Sequence, residues 1–252
     1  MSLPTRSTAL FVTCIVDTIY PQIGEAVVDV LERAGVEVSF PQDQTCCGQI
    51  AFNSGHWDEA RAVAGRNIEV LRDTGDVVLP SGSCATMLRH FYPELFHDNP
   101  SLHAAALDLA GRTYEFSEYL VDVLAVTELG ARFSGTLTVH DACHGLRGLG
   151  IQKQPRVLLE QVAGAELREL PGADECCGFG GLFSVKLPGP SSAMLERKVD
   201  QIASTGADAV VMCDASCMTQ INGRLSRTGS RCRAMHIAQI LAGDADKASV
   251  AP

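Results

Sequence analysis

The chain is short of positive charge. Its 252 residues carry 20 Lys and Arg against 30 Asp and Glu, a formal charge of −10 with a pI of about 5.1. A protein that tracks a phosphate backbone or an anionic membrane surface needs the opposite balance, so nucleic acid and lipid headgroups are poor candidate partners. Long apolar runs are missing as well: none approaches the about eighteen residues that a membrane-spanning helix requires. Met1–Arg6 lacks the charged-then-apolar order of a secretory signal. The expectation is a soluble, cytoplasmic protein with no membrane span. Familiar catalytic patterns are absent too. There is no Ser-His-Asp order, no carboxylate pair at helical spacing beside the cysteines, and no flavin or quinone motif. Gly178-Phe179-Gly180-Gly181 is a poor dinucleotide fingerprint, because cysteines stand where that strand-to-helix turn needs its own residues.

What the chain does have is cysteine. Eight of its ten cysteines fall into two copies of one pattern: Cys14, Cys46, Cys47 and Cys84 recur as Cys143, Cys176, Cys177 and Cys217, at offsets of 129, 130, 130 and 133. Each adjacent pair is closed by glycine, in TCCGQ and in DECCGFGG, and PSGSCATM around Cys84 lines up with CDASCMTQ around Cys217. Cys213 falls where the first copy has Pro80, which gives the second copy a fifth thiol; Cys232 stands alone. An internal repeat of this length divides the chain into two similar halves, 1–130 and 131–252, with Gly130–Gly135 as the candidate boundary.

Each half alternates strand and helix. TALFVTCIV (8–16) reads as a strand, PQIGEAVVDVLERAG as a helix stopped at Gly35, VEVSF as a strand, HWDEARAVAGRNIEVLRDTG as a helix and DVVLP as a strand. Residues 101–129 read as one or two connecting helices. The second half repeats the order with GTLTVHDAC, QPRVLLEQVAG, AELREL, SSAMLERKVDQIASTG and DAVVMC, and RCRAMHIAQILAG closes in a short helix. The pattern predicts an α/β fold of two tandem, pseudo-symmetric three-layer units with small parallel sheets. In such sheets ligands gather beyond the carboxyl ends of the strands, so cysteines more than thirty residues apart are expected on one rim.

Repeatedly spaced cysteines in a reducing compartment point to metal binding or catalysis rather than to a disulfide framework. Joining neighbouring cysteines would also strain a small ring and close no useful loop. Sets of four or more thiolates suit zinc or iron–sulfur clusters. Adjacent sulfurs can reach different irons of a multi-iron centre, which favours a cluster over a single zinc ion.

The motifs PSGSCATMLRHFYP, VHDACHGLRGLG, ECCGFGGLFSVK and CDASCMTQINGRL carry a resemblance that covers nearly the whole chain. It resembles the duplicated cysteine-rich (Cys-Cys-Gly) iron–sulfur proteins, a family that includes the cysteine-rich component of heterodisulfide reductase, the iron–sulfur component of glycolate oxidase and bacterial lactate-utilisation proteins. The resemblance implies a [4Fe-4S]-type centre and work beside the other subunits of a complex that oxidises L-lactate to pyruvate. It assigns ligation to Cys143, Cys176, Cys177, Cys213 and Cys217. In the heterodisulfide reductase relatives two residues separate the closing cysteines; here three separate Cys213 from Cys217, and Ser81 stands where the first copy would need its fifth thiol. Cys14, Cys46, Cys47 and Cys84 therefore allow a conventional four-thiolate cluster, a labile one, or a degenerate copy without metal.

Gly178, Gly180 and Gly181 read either as turn formers or as the means by which backbone amides approach cluster sulfurs. His140 and His144 flank Cys143, and His236 follows Cys232; histidines beside thiolate sites more often support ligands than serve as them. Arg147 and Lys186 are candidates to offset cluster charge. Besides lactate oxidation, the residues leave open electron relay in glycolate oxidation, thiol–disulfide reduction, and a zinc-stabilised scaffold without redox work.

Overall fold

The computed structural model describes residues 6–243, so the ends of both expected halves, 1–5 and 244–252, lie outside the described residues. Eight strands form two four-stranded, wholly parallel sheets. The first contains β1 (Arg6–Leu10), β2 (Val36–Ser39), β3 (Asp76–Leu79) and β4 (Thr113–Glu115) in the order β2-β1-β3-β4. The second contains β5 (Arg132–Val139), β6 (Ala163–Arg168), β7 (Ala209–Met212) and β8 (Arg233–His236) in the matching order β6-β5-β7-β8. The register repeats with the order: Leu10 pairs with Val78 and Val139 with Val211. Central strands covered on both faces read as unbroken apolar runs, as Val77–Leu79 and Ala209–Met212 do; all of these residues are buried.

Helices cover the sheets for reasons visible in their sequences. Pro21 opens the helix Pro21–Arg33, and Ile23, Val27, Val30 and Leu31 form its buried stripe. The helix Pro188–Thr205 likewise opens on proline and stops at left-handed Gly206. One expected element differs. The strand expected over 8–16 ends at Leu10, and a helix, Cys14–Ile19, begins at Cys14. The break falls at Thr13, whose φ of 72° is costly for a β-branched residue. The apolar run contains no Gly or Pro, so its sequence holds no warning. Strands β4 and β8 were also unforeseen, being only three and four residues long.

Each of these two short strands ends in a buried ionisable residue that caps the next helix. Glu115 heads the helix Phe116–Glu118 and His236 heads Ile237–Ala242, both with the reciprocal bonds of a capping box. Both also reach the opposite half. Ser117, beside Glu115, brings its hydroxyl 3.8 Å from Cys213 Sγ, while His236 Nε2 lies 3.1 Å from the Pro80 carbonyl. Because His236 Nδ1 accepts from the Ala238 amide, its proton sits on Nε2 and is donated to Pro80.

The halves meet on an antiparallel bridge between Ser81 and Asp214, equivalent positions of the two copies. The buried Asp214 carboxylate accepts from the Ser83 amide at 3.0 Å, the Ser81 hydroxyl at 3.2 Å, and the Ser216 amide at 3.1 Å. The helix Gly82–Thr86 then crosses the helix Cys143–Leu149 almost backbone to backbone: a Cβ added at Gly82 would stand 2.8 Å from Gly145 Cα. The last helix of each half also packs on the other. Ile237–Ala242 lies against Pro21–Arg33, where Arg33 donates to the Leu241 carbonyl, and Lys153–Glu160 lies against Phe116–Val123. One apolar core consequently runs through both halves, from Val27 and Leu31 to Leu137, Met218 and Ile240.

The junction can be probed at two points. Asp214→Ala strands three donors in a buried place and should lower unfolding free energy by about 3 kcal/mol in denaturant titrations. Burial raises the Glu115 carboxyl to about 7, so the folded state holds its proton more tightly than the unfolded chain; stability from this group is full below about pH 4.5 and is lost towards pH 7. Burial lowers His236 to about 4, so stability from that group is lost as pH falls from 6.5 towards 4. The two oppose each other between pH 4.5 and 6.5. Glu115→Gln should unmask the histidine, turning a flat stability profile into one that declines steadily on acidification below about pH 6.5.

Candidate metal centre

The eight repeated cysteines lie beyond the carboxyl ends of the strands, as the topology dictates. Cys14 and Cys143 open the helices after β1 and β5, the adjacent pairs sit in the loops after β2 and β6, and Cys84 and Cys217 lie in the first turns of the helices after β3 and β7. Those last helices are capped by Ser81, which accepts from the Cys84 amide, and by Asp214, which accepts from the Ser216 amide. Because the halves meet at these caps, just beyond the carboxyl ends of β3 and β7, both sets open on one cleft between them. All eight cysteines line it, and its empty volume, mouth included, is about 900 Å³.

Within each set the sulfurs stand in a chain. Cys14 neighbours Cys46, Cys46 neighbours Cys47 and Cys47 neighbours Cys84 closely enough to shift one another's ionisation, and Cys143, Cys176, Cys177 and Cys217 repeat the order. Left-handed glycines turn the backbone after each pair, and their amides donate back to sulfur: Gly48 to Cys46 Sγ at 3.5 Å and Gly178 to Cys176 Sγ at 3.4 Å. At Gly178 no other residue fits, since a Cβ would stand 2.4 Å from the Ser191 carbonyl oxygen. Gly180 and Gly181 line the cleft, the latter facing Ile50 of the first half.

Neighbouring residues fix the loops. Asn67 donates to the Cys46 carbonyl at 2.9 Å and Tyr92 to that of Cys47 at 3.0 Å. In the second half the buried Lys198 ammonium donates to the Gly172 carbonyl at 2.6 Å. Burial lowers its pKa, opposed by Glu175 and then Cys177. Nothing in the chain's pattern marks it out, because Lys198 reads as an ordinary polar position in a long helix. Arg147 and Lys186, the expected cations, do not line the cleft: Arg147 reaches only the Asp174 carbonyl at 3.5 Å, and Lys186 is exposed.

The thiols share protons unevenly. Hydrogen bonds from Cys14 and then Cys47 hold Cys46 far below the ordinary thiol range, and Cys143 and then Cys177 do the same for Cys176. Cys14, Cys47, Cys143 and Cys177 are pushed up as the corresponding donors and by burial. Cys217 is lowered to about 7, chiefly by Cys177. Four neighbouring sulfurs can all ionise only when a cation supplies the compensating charge, which is the donor set that soft metals and iron–sulfur clusters take.

The structure does not bring Cys213 into this set. Its thiol is buried at the junction against Ser117, outside the cleft lining, and is pushed up by burial and then by Glu115. Pro80, its counterpart, also faces the opposite half, through its bond to His236. Cys232 lies outside the cleft, its thiol raised to about 11 by burial. Two histidines approach the second set. His144 Nδ1 lies 3.7 Å from Cys143 Sγ, and a ring nitrogen of buried His140 lies within 4.8 Å of both Cys177 and Cys217 Sγ.

The fold and the paired thiol sets define a duplicated cysteine-rich protein, and the family described as "Cysteine-rich domain" matches residues 8–89 and 137–222. The chain is 47% identical over 92% of its length to proteins named Lactate utilization protein A from Bacillus cytotoxicus and from Bacillus cereus strain G9842, covering 97% of each. It therefore belongs to the lactate utilization protein A family of duplicated cysteine-rich proteins. Among solved structures, a hypothetical protein from Helicobacter pylori shares the fold at a TM-score of 0.62 and 13% identity, over 95% of this chain and 49% of that one.

The contacts separate the thiols by role. After anaerobic loading with iron and sulfide, Cys177→Ser and Cys217→Ser should each lose the metal held by the second half, roughly half of the total. Cys213→Ser should keep it, against the expectation from the family resemblance; metal analysis distinguishes these outcomes.

Proposed function

We propose that this chain is the iron–sulfur, electron-carrying subunit of a system that oxidises L-lactate to pyruvate. The observation that carries the proposal is the convergence of two four-thiol sets on one cleft. The substrate is suggested by the names of the relatives, which are lactate utilization proteins. Cys143, Cys176, Cys177 and Cys217 would hold one centre, and Cys14, Cys46, Cys47 and Cys84 a second. An iron–sulfur centre supplies reversible one-electron exchange, so two centres match the two electrons released when a 2-hydroxy acid becomes a 2-oxo acid.

The chain's own residues then set the conditions of transfer. The Gly48 and Gly178 amides donate to sulfur and stabilise the more negative, reduced state. Oxidation of lactate itself is assigned to a partner protein. Bound lactate needs a cation for its carboxylate, and among the described residues the cleft is lined by thiols, hydroxyls, amides, apolar groups, the His144 imidazole and the Asp214 carboxylate, with no Lys or Arg.

Anaerobic loading should give brown protein that is bleached by dithionite and recolours on reoxidation. A strain lacking the gene should fail to grow on L-lactate and still grow on glycolate, and the Cys177→Ser chain should not restore growth. Colourless protein that takes up neither iron nor sulfide, or normal growth on L-lactate without the gene, would sink the proposal.

A further inference from the structure

The two halves correspond residue for residue where β1 and β5 end. The Phe11 amide donates to the Val78 carbonyl at 3.0 Å, and the His140 amide donates to the Val211 carbonyl at 2.9 Å. These are one position in the fold, carrying an apolar ring in the first half and an imidazole in the second. Phe11 is fully buried and His140 is 2% exposed. Neither ring nitrogen of His140 has a hydrogen-bond partner, in a structure where His236, equally buried, has both nitrogens engaged. An unpartnered buried imidazole is costly and rare. Here a ring nitrogen lies beside Cys177 and Cys217 Sγ, with all three atoms within 4.8 Å of one another. His140 also borders a small enclosed space lined by Glu115, Asp141 and Cys213, and Glu115 Oε1 is likewise unpartnered.

Resting on the iron–sulfur reading above, we propose that His140 is a metal ligand: its imidazole nitrogen joins Cys143, Cys176, Cys177 and Cys217 in a mixed nitrogen and sulfur donor set. The first centre, with Phe11 at the same place, is held by thiolates alone. A metal bond removes the cost of the orphaned nitrogen and explains why a histidine stands where the fold itself is satisfied by phenylalanine. A nitrogen donor in one centre and none in the other gives the two centres different reduction potentials.

The full chain, loaded anaerobically with iron and sulfide and then reduced, tests this with nitrogen as the readout. Protein carrying ¹⁵N only in its histidines is compared by pulsed EPR with unlabelled protein, so the decisive measurement needs no substitution. The expected result is a strong nitrogen coupling that changes with the label and disappears in His140→Phe, the residue of the first half. His140→Phe should also shift one wave of a redox titration while the other stays in place. Iron-loaded protein with no label-dependent coupling, or a titration unmoved by His140→Phe, overturns the assignment of His140 and leaves the iron–sulfur reading intact. A chain that takes up no iron overturns both.

Discussion

A single buried carboxylate holds the architecture to its purpose. Asp214 follows β7, caps the helix that carries Cys217, and reaches across to the amide and hydroxyl at the head of the helix that carries Cys84. The same few atoms thus set the position of a sulfur in each half and the angle between the sheets. An ionised carboxylate is a demanding group to bury, and it is tolerated because its oxygens are met by amide and hydroxyl donors.

Duplication gives the molecule its symmetry, and the departures from symmetry give it its chemistry. Pro80 and Cys213, Glu115 and His236, and Phe11 and His140 are pairs of matched places filled by different residues. The junction pairs work in opposite directions with pH, one favouring the protonated and the other the deprotonated state. The pair Phe11 and His140 places an imidazole beside the second set where the first has an apolar ring. Identical scaffolds with unequal surroundings are what two centres require if they are to differ in potential.

Much of this was legible in the sequence, because the relevant signals are periodic. Apolar runs at strand length, helical stripes such as Ile23, Val27, Val30 and Leu31, and cysteines one βαβ period apart yield the fold class, the duplication and the sharing of a rim. What escaped has no periodic signature. Thr13 turns the chain through a strained conformation inside an apolar run, and β4 and β8 are too short to alternate. Spacing alone could not tell that the Cys213 thiol faces Ser117 while that of Cys217 faces the cleft, since direction at the end of a strand depends on where the next helix begins. Lys198 and Asp214 act through contacts more than twenty and more than one hundred residues distant in sequence, and only the packed chain brings them to the site.

The exchange of terminal helices bears on the protein's origin. Each half covers its neighbour with its own closing helix, so one copy by itself would leave an apolar face bare to water. Two such copies around a dyad would cover each other in the same way, as partners in an isologous, arm-swapped pair. The segment 124–131 ties together what a free pair would achieve by association, turning a concentration-dependent assembly into a permanent one. Once tied, the two lineages no longer had to stay identical, and mutation was free to give each its own character.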